Sequence, residues 1–134
     1  MTTMAQATGT MAMQSWDEET YAELEGAPKL SHDRVRHTFS GDIEGEGTAQ
    51  FLNAYRDEAT ATYCGYERVV GRLAGRSGSF VLQVSGTYEN GAAITTWSVV
   101  PGSGTGSIAG LSGEGGYVSR ADGTEPYRLD YRFE

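Results

Sequence analysis

Alternation of apolar and polar residues is the feature of this sequence that most constrains its fold. In "PYRLDYRFE" the apolar and aromatic side chains are separated by Arg128, Asp130 and Arg132. "GSFVLQVSGTYE" repeats the pattern, with Phe80 and Leu82 on one side. A period of two places successive side chains on opposite faces of a β-strand. Each of these segments therefore predicts a strand with one buried and one solvated face.

Eight segments of this character follow one another, separated by turn signals such as Asn90-Gly91, which is typical of a tight hairpin. The predicted strands are roughly 8–16, 33–43, 47–56, 61–74, 78–89, 92–100, 112–119 and 126–133. An antiparallel sheet of this size buries its apolar face most simply by closing on itself, so we predict an all-β, eight-stranded antiparallel β-barrel. A two-layer sandwich is the alternative. We expect residues 1–7 to form a flexible tail before a single domain at 8–134, and "WDEETYAELEG" (16–26) to form a helical turn or a loop.

A glycine-rich stretch, "GSGTGSIAGLSGEGG" at 102–116, raises the question of nucleotide binding. A phosphate-binding P-loop requires a lysine after its last glycine, and the last lysine of the chain is Lys29. The dinucleotide motif requires a third glycine where Ala109 stands, followed by a long helix. Glycines also permit tight connections and close strand crossings. We therefore predict a structural connection and no nucleotide cofactor.

Charge and cysteine content exclude several further classes of function. The net charge of −8 disfavours nucleic acid and anionic membranes as partners. Two histidines and the lone Cys64 offer no set of metal ligands, so no metal is expected. The lone cysteine, and the lack of both a long apolar run and a signal-like N-terminus, predict a cytoplasmic protein.

Two long segments carry a resemblance to a known family. "SGDIEGEGTAQFLNAYRDEATATYCGYERVVGRLAGRSGSFVLQ" and "SVVPGSGTGSIAGLSGEGGY" closely resemble the DUF3224 family of small bacterial proteins, over about residues 8–134. That family is similar to the allene oxide cyclase-like β-barrels and, distantly, to dirigent-type barrels. The resemblance implies a barrel rather than a sandwich. It implies no reaction, because the family has no agreed one.

Glu67 and His37 are the candidate catalytic residues. Glu67 is a carboxylate on an otherwise apolar strand face, where an unpaired charge would be costly. It is expected to be either a general acid or base in a cavity, or a structural carboxylate held by a partner. His37 faces the same way as Val35 and Phe39, and either pairs with Glu67 to transfer protons or is a hydrogen-bonded core residue.

Aromatic residues on the inward faces suit either a ligand pocket or a packed core. The candidate ligand-binding residues are Tyr63, Tyr88, Tyr127, Tyr131, Phe39 and Phe80. We predict a barrel that binds an apolar small molecule and acts as a cyclase or isomerase with Glu67 as acid or base. The alternative is a non-catalytic binding or scaffold barrel with a filled core. The outward arginines form either a solvated exterior or the interface of a homo-oligomer.

Overall fold

The chain forms a closed antiparallel barrel of eight strands in a computed structural model, which describes residues 4–120 and 125–134. Each strand pairs with the next, and the last strand pairs with the first. The strands are β1 (Ala5–Ala22), β2 (Lys29–Gly41), β3 (Ile43–Asp57), β4 (Thr60–Leu73), β5 (Arg76–Glu89), β6 (Ala92–Val99), β7 (Leu111–Ser119) and β8 (Glu125–Phe133). The predicted barrel is confirmed, and the sandwich alternative is wrong.

The first strand is much longer than the sequence suggested. β1 begins at Ala5, and Ala7 is buried where it pairs with Leu129 of β8, so residues 5–7 close the barrel instead of forming a tail. Residues 1–3 of the predicted tail lie outside the described residues. Residues 16–22, predicted as a helical turn or loop, continue β1 and pair with β2 as far as Ala22 and Leu30. The long β2 offers unpaired backbone groups there, and these groups favour strand pairing.

The alternation correctly assigns the two faces of the sheet. Phe80, Leu82 and Leu129 are almost fully buried, whereas Arg128 and Arg132 are exposed. The remaining predicted interior residues are buried or partly buried: Tyr127, Tyr131 and Phe133. The interior face therefore forms the core, and the exterior is polar.

The glycine-rich stretch closes one end of the barrel. A short 3₁₀ turn, Gly106–Ile108, places Ile108 in the core, and the Thr105 N–H donates to the Ser79 carbonyl at 2.9 Å. Gly106 has φ 59°, in the left-handed region that favours glycine. The stretch is therefore a structural connection, as predicted, and we call this the closed end.

The opposite end of the barrel is open, with walls of unequal height. β1 pairs with β8 only as far as Met11 and Glu125, but it continues along β2 to Ala22. The long strands β1–β5 therefore extend beyond the short strands β6–β8 on one side of the opening. Within the two described ranges, no helix is long and apolar enough to cross a membrane.

Candidate functional site

A cavity of about 400 Å³ occupies the open half of the barrel interior. That volume suits one small organic molecule. Six of its sixteen lining residues are aromatic: Trp16, Phe51, Tyr55, Tyr63, Tyr88 and Tyr117. Its polar lining includes Asp33, His37, Asn53 and Glu125. The open half of the barrel is therefore the candidate site.

His37 and Glu67 form a buried pair at the inner end of this cavity. The His37 Nδ1 atom lies 2.7 Å from Glu67 Oε2, and the two side chains are 1% and 0% exposed. The imidazole is also packed edge-on between Phe39 and Tyr117, with ring centroids 6.3 and 6.1 Å away. His37 lines the cavity, whereas Glu67 lies behind the imidazole and is not part of the lining. The predicted pairing of these two residues is therefore present, and it is buried among aromatic rings.

A glycine on the intervening strand makes this pairing possible. His37 is on β2 and Glu67 is on β4, so the carboxylate must reach across β3. On β3, Gly47 pairs with His37 on one side and with Val69 on the other. A Cβ atom at position 47 would overlap Glu67 Oε2 and press on the Phe39 ring. Gly47 therefore provides the space through which Glu67 reaches the imidazole.

Glu125 completes a line of three ionisable groups. Its Oε2 atom lies 3.7 Å from His37 Nε2, on the opposite side of the ring from Glu67. Glu125 is 6% exposed and lines the cavity. Across residues 4–120 and 125–134, neither His37 Nε2 nor Glu125 Oε2 has a hydrogen-bond partner. Buried polar atoms without partners are rare in folded proteins, so these two atoms are available to hydrogen-bond a polar group of a ligand in this part of the cavity.

The neighbouring charges set the protonation of this line. Burial lowers the pKa of His37, but the hydrogen bond to Glu67 and the negative charges of Glu67 and Glu125 outweigh it and hold that pKa above its ordinary value of 6.5. Burial is also the main reason that the pKa of Glu125 is raised above 4.5. A histidine with a raised pKa beside a carboxyl with a raised pKa is an arrangement suited to proton exchange near neutral pH.

A second polar group lies nearer the mouth. Asp33, on β2, is 8% exposed and lines the cavity. Its Oδ1 atom has no hydrogen-bond partner among the residues that the structure describes. Burial raises the pKa of Asp33 above its ordinary value of 3.8; the nearby Asn53 and Trp16 side chains oppose this effect, and the negative charge of Glu18 adds to it. Asp33 is therefore a buried acid whose Oδ1 atom is available to a ligand.

The predicted ligand-binding residues divide between the two halves of the barrel. Tyr63 and Tyr88 line the cavity. Four others lie on the interior face but outside the cavity lining: Phe39, Phe80, Tyr127 and Tyr131. The Tyr127 hydroxyl accepts the Ile43 N–H at 2.9 Å and donates to the Ser40 carbonyl at 2.8 Å, so it links strands at the turn between β2 and β3. These four residues pack the core outside this cavity, and their assignment to ligand binding stays a prediction.

The sequence interpretation missed Glu125 and Asp33, although the alternation contains both. Glu125 has the same parity as Tyr127 and Leu129, but the predicted strand begins at 126, one residue after the observed start of β8. Asp33 lies within the predicted strand 33–43 and has the same parity as Val35 and His37. Extending each alternation by one pair of residues finds both acids.

The described residues contain no group of three or more His, Cys, Asp or Glu side chains placed to hold a metal ion.

A family model described as "Protein of unknown function (DUF3224)" matches residues 7–131. No curated protein matches the chain. A crystal structure of a protein with unknown function from the DUF3224 family from Shewanella oneidensis MR-1 is similar, with 33% identity and a TM-score of 0.83 over 98% of each chain.

Proposed function

This chain belongs to the DUF3224 family of proteins of unknown function, and we propose from its own geometry that it binds one small organic molecule at the open end of the barrel and transfers a proton on that molecule. The reaction class is an isomerisation or ring closure, in which the composition of the molecule does not change.

One observation carries this proposal. The His37 imidazole is fixed at Nδ1 by Glu67, while Nε2 is buried, has no hydrogen-bond partner within the described ranges, and belongs to a residue that lines the cavity. A carboxylate that accepts the Nδ1 proton leaves Nε2 as the atom that gains or loses a proton. The second carboxyl group, Glu125, is 3.7 Å from Nε2 and lines the same cavity.

The three residues have different roles in this scheme. His37 and Glu125 are the acid and base that contact the ligand. Glu67 is a positioning residue that holds the imidazole and stabilises its charged form, in place of the direct acid or base role that the sequence suggested. Its complete burial behind the ring supports this assignment.

The proposed step balances without a further reactant. His37 Nε2 removes a proton from an acidic C–H or O–H of the ligand, and the electron pair of that bond moves within the ligand. Either His37 returns this proton to a different ligand atom, or Glu125 donates its own proton to that atom and is reprotonated by His37, 3.7 Å away. General acid or base catalysis by a positioned side chain typically contributes about 10²–10⁴-fold in rate.

Deuterium exchange tests the proposal without knowledge of the natural substrate. The protein is incubated in D₂O with a panel of aromatic ketones, and deuterium uptake next to the carbonyl is followed by mass spectrometry. We expect exchange above the buffer rate for ketones that bind, a loss of about 100-fold or more in His37→Gln, and no change in Glu46→Gln, which alters an exposed carboxylate. Exchange that persists undiminished in His37→Gln would contradict the proposal.

Binding without catalysis is the second candidate function. It is favoured by the packing of the closed half, where Phe39, Trp97 and Tyr127 fill the interior with ring centroids 5.8–6.1 Å apart. The space that remains fits one small ligand. A ketone that is seen by NMR to occupy the cavity, but exchanges no faster than in buffer, would select this candidate over the first.

A further inference from the structure

Resting on the proposed function, we propose that the ligand carries a positively charged nitrogen, a protonated amine, which binds to Asp33 near the mouth while the body of the ligand reaches inward to His37. This replaces the purely apolar ligand that the sequence suggested with a cationic, amphipathic one. Asp33 has no part in the proton transfer described above, so its burial needs a separate explanation.

The first support is the unsatisfied oxygen of Asp33. The side chain is 8% exposed, and Oδ1 has no hydrogen-bond partner in the part of the chain that the structure describes. Leaving a buried acceptor without a partner costs free energy, more so when it is charged. An ammonium group provides both a donor and a compensating charge, whereas a purely apolar ligand provides neither.

The second support is the sign of charge around the cavity. Three carboxyl groups line it, from Asp33, Glu58 and Glu125, and none of the described lining residues is Lys or Arg. Glu18 adds a further negative charge that acts on Asp33. Lys29 lies over the ring of the lining residue Tyr55, 4.7 Å from its centroid, but is not itself part of the lining. An anionic ligand would be repelled here, and a cation would be attracted.

The third support is the aromatic wall beside Asp33. Trp16, Tyr55 and Tyr88 line the same cavity as Asp33. Aromatic faces attract cationic groups, and they do so at partly exposed positions such as Trp16 and Tyr88 as well. A cavity with an acidic residue and aromatic rings is therefore better suited to an alkylammonium group than to a neutral hydroxyl.

The spacing along β2 gives the length of the ligand. Asp33 and His37 both point inward and are four residues apart, which corresponds to about 13 Å along a strand. A molecule with its amine at Asp33 and its reacting end at His37 therefore needs a body somewhat shorter than this spacing. An aromatic ring joined to the amine by a short alkyl chain has this size.

Three probes that differ in one terminal group test the proposal by isothermal titration calorimetry at pH 7: 4-phenylbutylammonium, 4-phenylbutan-1-ol and 4-phenylbutanoate. On the wild-type protein we expect the ammonium to bind at least 10-fold more tightly than the alcohol, and the carboxylate to bind most weakly. In Asp33→Asn the ammonium should lose about 10-fold or more in affinity, while the alcohol is unchanged. Glu46→Gln is the matched control on the outer face and should change neither.

The wild-type ranking does not depend on whether Asp33→Asn folds. An alcohol that binds as tightly as the ammonium, or an ammonium affinity unchanged in folded Asp33→Asn, would overturn the inference. If the ketones exchange deuterium and the ammonium has no advantage, the inference fails and the proposed function stands. If the ammonium binds through Asp33 and bound ketones do not exchange, the catalytic proposal fails and the inference stands for a binding protein.

Discussion

Replacing Glu67 by Gln removes one charge from the buried pair at nearly constant shape. Glutamine keeps an oxygen that accepts the His37 Nδ1–H, so the packing around Gly47 is retained. Two unit charges 2.7 Å apart attract by about 6 kcal/mol at an effective dielectric constant of 20. Desolvation of the two groups offsets much of this attraction. His37 can also release its proton in the variant, which limits the loss.

The net cost is then the difference between a charge-assisted and a neutral hydrogen bond, about 1 kcal/mol in the free energy of unfolding. For a domain of this size that corresponds to a fall in melting temperature of about 3–6 °C. Urea unfolding at pH 7, followed by tryptophan fluorescence, measures it, because Trp97 is fully buried in the core.

Glu46→Gln is the matched control for stability. Glu46 pairs with Arg36 at 3.4 Å, but the two side chains are 70% and 61% exposed. Exposed pairs contribute about 0–1 kcal/mol, so this variant should unfold almost like the wild type. If Glu67→Gln and Glu46→Gln lose the same stability within about 0.5 kcal/mol, the buried pair is not ionic and the reasoning fails.

Three further predictions follow from the same geometry. Gly47→Ala should lower the free energy of unfolding by about 1–3 kcal/mol and abolish deuterium exchange, because the added methyl group displaces Glu67 from the imidazole. Urea unfolding measures the stability and mass spectrometry measures the exchange. Wild-type stability and exchange in this variant would refute the prediction. Glu67 and Glu125 hold the pKa of His37 above 6.5, so the contribution of His37 to stability should be complete below pH 6.5 and decline as the pH rises through the pKa of the folded state. Urea unfolding of the wild type and of His37→Gln between pH 6 and 9 tests this. A difference in unfolding free energy between the two proteins that grows with pH would contradict it. Tyr127→Phe should cost about 1–3 kcal/mol by leaving a buried backbone N–H without its partner, with no change in the affinity of the calorimetric probes.

Alternation predicted the face of each residue, and this was enough to find the barrel and both members of the buried pair. Side chains at alternate positions necessarily share a face, so Glu67 and His37 were placed inside from local sequence alone. Their contact was harder to predict. It depends on the registers of β2, β3 and β4, and on the missing side chain at Gly47, all of which are set by pairing between distant segments.

The depth of a residue within the barrel could not be read from the sequence. Tyr63 and Tyr127 have equivalent patterns, but one lines the cavity and the other lies in the packed core. Depth follows from the stagger of neighbouring strands around a closed barrel, which is a property of the whole sheet. The extent of β1 was missed for a related reason. Residues 16–22 have no clear alternation, and their strand conformation comes from pairing with β2.

The protonation of His37 tests the central claim most directly. In a His32→Gln background His37 is the one imidazole left in the chain, and ¹⁵N-histidine NMR then reports which ring nitrogen carries the proton at each pH. We predict a protected Nδ1 proton hydrogen-bonded to Glu67, a titration midpoint above 6.5, and a lower midpoint when Glu67→Gln is added. A midpoint at or below 6.5 that does not respond to Glu67→Gln, with no protected Nδ1 proton, would contradict the account.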